Sequence, residues 1–335
     1  MHGLRVCELF CGIGGFRHGL EKASNKFQTV FANELDKWAA SIYRHHWNDG
    51  SLCEGDIRSI QVKDLPDFDL LCGGFPCQPF SSAGKRSEFR DPRGTLIYEI
   101  IRLAKEKQPK MLLLENVLGL LSIQQGKTFQ TILEALGDLG YICEWKVFNS
   151  KFFGVPQSRR RVFIVAYLTT LKHGGRTFFP IRDSNKMGVA KSQGQVCSTI
   201  TAGYGNRHGG DTYLIVDYQF RKTRIYVDTA PTLTARMGTA GGKGTMLTTY
   251  TADKRLRKLT PLECERLQGF PDHWTKYGLT LTGEQIEISN AQRYKTVGNA
   301  VTTNVIAEIG KLILTFFDDL RTPDLVSQKN MEEHF

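Results

Sequence analysis

A cysteine set between prolines is the feature of this chain best suited to chemistry. It stands at the centre of Gly73-Gly74-Phe75-Pro76-Cys77-Gln78-Pro79-Phe80-Ser81. The apolar run Phe68-Asp69-Leu70-Leu71-Cys72 before it reads as a buried strand. Two glycines then release the chain into a loop, and the prolines stiffen it on both sides of Cys77. A thiol at the end of a parallel strand lies where open α/β sheets hold their ligands. Such a group is a nucleophile if its surroundings lower its pKa from about 8.5. The plain alternative is a buried loop cysteine, since free cysteines favour interiors.

Two further segments carry ionisable groups in telling positions. Met111-Leu112-Leu113-Leu114-Glu115-Asn116-Val117 places an acid directly after four apolar residues. A carboxyl at the tip of a buried strand is partly desolvated, which raises its pKa toward proton donation. A capping acid at a strand end is the alternative. Gln157-Ser158-Arg159-Arg160-Arg161 precedes another apolar strand. Alternate residues of a strand share a face, so Arg159 and Arg161 are expected to point together. Paired guanidiniums suit an anion or a base carbonyl; a surface basic patch would look the same in sequence.

Earlier segments suggest a nucleoside site. Glu8-Leu9-Phe10-Cys11-Gly12-Ile13-Gly14-Gly15-Phe16 is a glycine-rich turn that departs from the G-x-G-x-x-G spacing of dinucleotide sites. The second strand ends in Ala32-Asn33-Glu34, about 20 residues on, where a carboxylate can bind a ribose diol. Gly55-Asp56-Ile57 ends a third strand region and offers an edge and a face to adenine. A nucleoside site without a strong phosphate cradle favours S-adenosylmethionine over NAD.

These groups need a scaffold, and the pattern supplies one. Strands are expected at Leu4–Phe10, Phe27–Ala32, Phe68–Cys72, Met111–Leu114, Glu144–Phe148 and Arg161–Leu168. Amphipathic helices are expected at Phe16–Ala23, Lys37–His46, Thr95–Lys107 and Phe129–Leu139, then at Pro261–Gly269 and Asn304–Phe317. The alternation predicts an α/β fold with a doubly wound, mostly parallel sheet. Thr260 is placed to cap the helix that starts at Pro261, with Gly269 ending it.

Composition narrows the function classes. The chain has 335 residues, 41% of them apolar, enough for one large domain or two unequal ones. Its uncharged apolar runs are too short to cross a bilayer, and Met1–Val6 lacks a signal-peptide layout. A cytoplasmic protein without membrane attachment is expected. Eight cysteines in such a length do not form a disulfide scaffold. Cys7 and Cys11 have no second pair at zinc spacing after them, so no metal is expected.

Charge is unevenly placed. Lys and Arg number 44 against 34 acids. Between Leu171 and Lys258 the balance is 15 to 5, which leaves the remainder neutral at 29 to 29. A basic block beside a neutral body suggests a polyanion partner, most simply nucleic acid. This block contains a repeat: Thr199-Ile200-Thr201-Ala202 matches Thr232-Leu233-Thr234-Ala235 at an offset of 33. Gly205, Gly209, Thr212 and Leu214 recur as Gly238, Gly242, Thr245 and Leu247. Each copy reads as a hairpin with a glycine-rich tip.

The order of glycine turn, Asn33-Glu34, Asp56-Ile57, Pro76-Cys77-Gln78, Glu115-Asn116-Val117, Gln157-x-Arg159-x-Arg161, variable block and Tyr294-Lys295-Thr296-Val297-Gly298-Asn299-Ala300-Val301 resembles the DNA (cytosine-5)-methyltransferase family. The resemblance runs from Arg5 to about Ile309, the basic block excepted. The family often has Asp where Glu8 stands, and the longer acid should still serve. The resemblance implies a Rossmann-like catalytic domain at 1–170, completed by 290–335. A smaller β-rich target-recognition domain would span 171–289, with the repeat at 199–214 and 232–247.

The resemblance also implies residue roles. Cys77 would attack cytosine C6, Glu115 would hydrogen-bond or protonate N3, and Arg161 would hold O2. Arg159 would support Glu115 or the thiolate. S-adenosylmethionine would be held by Phe10, Gly12, Gly14, Glu34, Asp56, Ile57, Pro76, Asn299 and Val301, leaving as S-adenosylhomocysteine. The target base must leave the duplex stack. Arg207 in one glycine loop, and Arg236 and Lys243 in the other, are candidates to reach DNA. Double-stranded DNA is the expected partner, acted on by a monomer; a companion restriction endonuclease is not deducible. The alternatives are an RNA cytosine-5 methyltransferase of the tRNA-directed branch, a catalytically silent DNA-binding homologue, and a nicotinamide oxidoreductase.

Overall fold

The computed structural model describes residues 3–76, 96–171, 177–179, 214–219, 222–227, 230–231, 247–250 and 256–320. Its centre is a seven-stranded sheet. The strands are β1 (Leu4–Leu9), β2 (Phe27–Glu34), β3 (Leu52–Glu54), β4 (Leu70–Gly74), β5 (Met111–Val117), β6 (Tyr141–Asn149) and β8 (Arg160–Leu168). They lie in the order β3-β2-β1-β4-β5-β8-β6. The pairs from β3 through β5 are parallel, and β8 runs antiparallel to both its neighbours.

Alternation within these strands divides the core into two layers. Val6, Leu70, Cys72, Met111, Leu113, Phe163 and Val165 pack with Phe16 and Leu20 of α1 (Gly15–Ala23). Val305, Ile306, Ile309 and Ile313 of α7 (Thr303–Asp319) join that layer. Cys7, Leu9, Leu71, Leu112, Leu114, Val162 and Ile164 face the other way. They meet Ile97, Ile100 and Leu103 of α3 (Leu96–Lys107), and Phe129, Ile132 and Leu136 of α4 (Lys127–Asp138). Strands covered on both faces read as unbroken apolar runs, as β4 and β5 do. Small residues let α1 and α7 approach closely: a Cβ on Gly19 would overlap Ile306, and one on Gly310 would lie 3.0 Å from the Ala23 side chain.

The expected helix α2 (Lys37–His46) forms over the predicted residues, N-capped by Asp36. The helix at α5 (Pro261–Leu267) carries a Thr260–Glu263 capping box. Helix α6 (Asn290–Asn299) was not expected, because it lacks a broad apolar stripe. Burial of Arg293 and Val297 holds it instead.

Smaller sheets complete the described chain. β7 (Gln157–Ser158) pairs in parallel with β11 (Ala230–Pro231). β14 (Tyr277–Leu279) and β15 (Gln285–Glu287) form a hairpin. β9 (Leu214–Gln219), β10 (Lys222–Val227), β12 (Leu247–Tyr250) and β13 (Leu256–Lys258) form a sheet in the order β10-β9-β12-β13.

Candidate active site

The strand order reverses beside β1, where chain connection passes from β3 across to β4. Crevices at such reversals, outside the carboxyl ends of the strands, are the usual ligand sites of open sheets. The loops at the ends of β1, β4 and β5 therefore define the candidate site.

The loop after β1 turns through left-handed backbone. Phe10 has φ +53, Gly12 +56 and Gly14 +82. Positive φ at an aromatic residue is strained and persists only where its surroundings enforce it. A Cβ on Gly14 would overlap the Trp47 ring, so glycine is required there. A Cβ on Gly12 would meet nothing within 4 Å, so that turn borders open space. Glu34 fixes the turn from β2: its carboxylate accepts from the Gly12 amide at 2.7 Å, Leu35 at 2.9 Å and Asp36 at 2.8 Å. A carboxylate has about four acceptor positions, so one remains for a hydroxyl. Burial raises the Glu34 pKa, and the three amides oppose that.

Asn33 ties the next loop to the same edge, donating to the Cys53 and Gly55 carbonyls at 3.0 Å each. Ile57 is buried. Asp56 caps the turn by accepting from the Arg58 amide at 2.9 Å and also holds the Arg58 guanidinium. These contacts lower the Asp56 pKa to about 2.

At the tip of β5, Glu115 pairs across the sheet with Gly74. A Cβ on Gly74 would lie 3.2 Å from Glu115 Oε2. The Arg161 Nε lies 3.0 Å from Glu115 Oε1. Burial lifts the Glu115 pKa above the usual carboxylate range, with Arg161 and then Arg159 pulling it back. Of the two arginines, Arg161 contacts Glu115 directly, while Arg159, which precedes β8, is held on backbone carbonyls. Arg159 is also buried and donates to the Ala300 carbonyl at 2.9 Å. Burial and the neighbouring Arg161 lower its pKa to about 9. Asn116 donates to the Phe75 carbonyl at 2.9 Å, pinning the loop that leads through exposed Pro76 to Cys77.

The carboxy-terminal segment closes the site. Val301 is buried against the positions of Gly15 and Gly74, between the glycine turn and the tip of β4. Asn299 is exposed at the end of α6. A buried polar network, not anticipated from sequence, joins these pieces. Gln157 donates to the Leu267 carbonyl at 2.8 Å, and Gln268 to Val297 at 3.0 Å and Ala300 at 3.1 Å. Thr302 donates to Gln268 Oε1 at 2.9 Å and meets Ser150 at 2.8 Å. Local pattern shows none of this, although the glutamine of Gln157-x-Arg159-x-Arg161 was a partial signal.

Residues 259–288 pack against the loop after β1 and against α2. Leu259, Leu267, Phe270, Trp274 and Ile288 share a core with Ile13, Ala39 and Ile42. Trp274 donates to the Ile13 carbonyl at 3.0 Å, and His46 stacks on it at 3.5 Å between centroids. Burial there lowers the His46 pKa to about 4. Cys77, Arg207, Arg236 and Lys243 lie outside the described residues.

The site thus combines the strand reversal of a mostly parallel sheet, a glycine-rich turn and a buried carboxyl–arginine pair. The family model for C-5 cytosine-specific DNA methylases matches residues 4–195 and 182–315. The Type II methyltransferase M1.ScrFI of Lactococcus lactis subsp. cremoris is 35% identical over 318 residues, covering 92% of this chain and 78% of that protein. The Type II methyltransferase M.HhaI of Haemophilus parahaemolyticus is 32% identical over 330 residues, covering 92% and 93%. In fold, the chain is similar to the S. pombe Dnmt2 methyltransferase, with a TM-score of 0.65, 23% identity, and coverage of 95% and 100%. The chain belongs to the C-5 cytosine-specific DNA methylases and is a DNA cytosine-5 methyltransferase.

Proposed function

We propose that the enzyme transfers a methyl group from S-adenosylmethionine to C5 of a flipped-out cytosine in double-stranded DNA, at a specific sequence. The placement of Glu115, between Arg161 and the β4 tip that leads to Cys77, carries this reading. The Cys77 thiolate adds to C6 while Glu115 gives its proton to N3, so no charge accumulates on the ring. Arg161 holds O2, and Arg159 keeps the β8 entrance locked to Ala300. C5, now enamine-like, accepts the methyl group. Loss of the C5 proton then expels the Cys77 thiolate, and the N3 proton returns to Glu115.

S-adenosylmethionine supplies an electrophilic methyl on a sulfonium. The open space at Gly12 and the spare acceptor on Glu34 fit its nucleoside part. Phe10 and Ile57 would flank adenine, and Gly14, Pro76, Val301 and Asn299 would border the methionine end. Asp56 reads adenine in this scheme only if it releases part of its hold on Arg58. The recognition domain spans 171–289, its last thirty or so residues acting as the joint to the catalytic body. Arg207, Arg236 and Lys243 are its DNA-reading candidates. The working form is a cytoplasmic monomer on the chromosome.

The test is expression in a bacterium without cytosine methylation, followed by base-resolved mapping of 5-methylcytosine. Methylation of one short motif is expected, and Cys77→Ser should abolish turnover while leaving S-adenosylmethionine affinity within about threefold. Methylated RNA with unmodified DNA would overturn the substrate assignment. Normal turnover by Cys77→Ser would overturn the covalent route.

A further inference from the structure

One buried hydrogen bond ties the segment after α5 to the glycine turn. The Trp274 indole Nε1 donates to the Ile13 carbonyl at 3.0 Å, across 261 residues of sequence. Ile13 stands between Gly12 and Gly14, both of which have positive φ. Its carbonyl shares a peptide plane with the Gly14 amide, which donates to the Cys11 carbonyl at 2.8 Å. That plane is therefore held at both ends, and Glu34 holds the Gly12 amide before it. Without such anchors a turn rich in glycine samples several forms, because glycine takes positive and negative φ at similar cost.

The indole is itself held in place. His46 stacks on it with the two planes 11° apart, and the His46 Nε2 lies 2.8 Å from the Trp274 carbonyl. A carbonyl only accepts, so His46 carries a proton on Nε2. Phe270 and Trp47 close on the same ring, at 5.3 Å and 5.5 Å between centroids. Trp47 is also the ring that a Cβ on Gly14 would overlap. Along the chain, Trp274 follows His273, whose φ of +64 turns the backbone sharply just before it. A phenyl ring at 274 could keep the stack on His46, but it would leave the Ile13 carbonyl without this donor.

We propose that Trp274 is a positioning residue for the cofactor turn, its indole N–H fixing the Ile13–Gly14 peptide in the orientation that accepts S-adenosylmethionine. The proposal rests on the cofactor reading above. It gives the segment 259–288 a task beyond joining two parts of the molecule. A group that holds a binding turn in its competent form raises affinity by removing the incompetent population. Loss of one hydrogen bond should then cost about three- to tenfold in affinity.

The test measures S-adenosylhomocysteine binding to the full-length enzyme by calorimetry. Trp274→Phe should raise the dissociation constant about three- to tenfold. Its KM for S-adenosylmethionine should rise alike while kcat at saturation stays within about twofold, because the indole touches no reacting atom. Phe270→Leu is the packing control: it loosens the same core and leaves the indole on Ile13. It should lower the melting temperature and keep affinity within about twofold. A second measurement leaves Trp274 unaltered. In isotope-labelled protein, its indole proton is assigned by elimination through Trp38→Phe, Trp47→Phe and Trp145→Phe. Bound S-adenosylhomocysteine should slow exchange of that proton about three- to tenfold, since the coupling is reciprocal. The half-exposed Trp145 should show no change. Unchanged affinity in Trp274→Phe, an equal loss in Phe270→Leu, or a Trp274 proton indifferent to the ligand would each overturn the proposal. Failure of the unaltered enzyme to bind S-adenosylhomocysteine would instead sink the cofactor reading, and this proposal with it.

Discussion

Two buried acids, Glu8 and Glu115, sit toward the carboxyl ends of interior strands of the catalytic sheet and are treated differently by their neighbours. Glu115 is 8% exposed and has Arg161 against it, with Arg159 behind. Glu8 is wholly buried, and neither of its oxygens closes a hydrogen bond among the described residues. The first amides of α1 and the Arg17 guanidinium offset part of its burial, yet its pKa rises to about 8. Its surroundings are Cys7, Cys11, Cys72 and Tyr43, whose ionisation its charge would oppose. Both acids are pushed toward the neutral form, but among the described residues only Glu115 has a guanidinium in ion-pair contact, Arg161 at 3.0 Å, to stabilise charge when the proton leaves. Burial makes a carboxyl hold its proton; an adjacent guanidinium lets it give that proton up.

This contrast can be broken at either end. Glu115→Gln removes the donor and keeps the shape, so kcat should fall about 10²- to 10⁴-fold with cofactor affinity unchanged. A loss under tenfold in single-turnover assays would make Glu115 no different from Glu8. Arg161→Ala should cost roughly 10²-fold and move the alkaline limb of the rate profile upward, because Glu115 acts in its protonated form and loses its nearest cation. A pH–rate profile that keeps its shape would separate the arginine from Glu115.

Glu8→Gln should change kcat by less than about threefold and act on stability instead. Glu8 keeps its proton in the folded state up to about pH 8, against an ordinary value of 4.5. Between those values the unfolded chain has lost the proton that the folded chain retains. Stability contributed by this group therefore falls as pH rises across that window and levels off above it. The glutamine variant lacks that fall. Thermal unfolding at pH 8 should favour it by an amount on the order of a few kcal/mol, with little difference near pH 4. Equal melting curves at pH 8 would mean that Glu8 is ionised and partnered in solution.

The sequence exposes those parts of the molecule that local physics governs. Apolar runs and helical spacing suffice for β1, β4, β5 and α2, because each is shaped by a core directly above or below it. The chemistry at Glu115 and the arginines is legible for the same reason: a charge ending an apolar strand is visible without coordinates. The contact from Gln157 to Leu267 spans 110 residues, and nothing local announces it. Helix α6 is hidden because its stability comes from Arg293 donating to buried Glu265 at 2.9 Å, a pairing across the fold. Asp56 shows a third case. Its position was readable, but its engagement with Arg58 two residues on is a rotamer choice that sequence does not fix.

The contact between α1 and α7 joins a helix built near the start of the chain to one made near its end. Arg159 likewise waits for the carbonyl of Ala300. On a ribosome adding roughly 5–20 residues per second, tens of seconds separate synthesis of the Pro76–Cys77 loop from that of its closing segment. During that interval the nascent chain holds a reactive sequence without a finished pocket. A message cut short before α7 yields a fragment with the apolar face of α1 bare, a substrate for chaperones and proteases. A chain ending before α7 is therefore expected to lack methyltransferase activity.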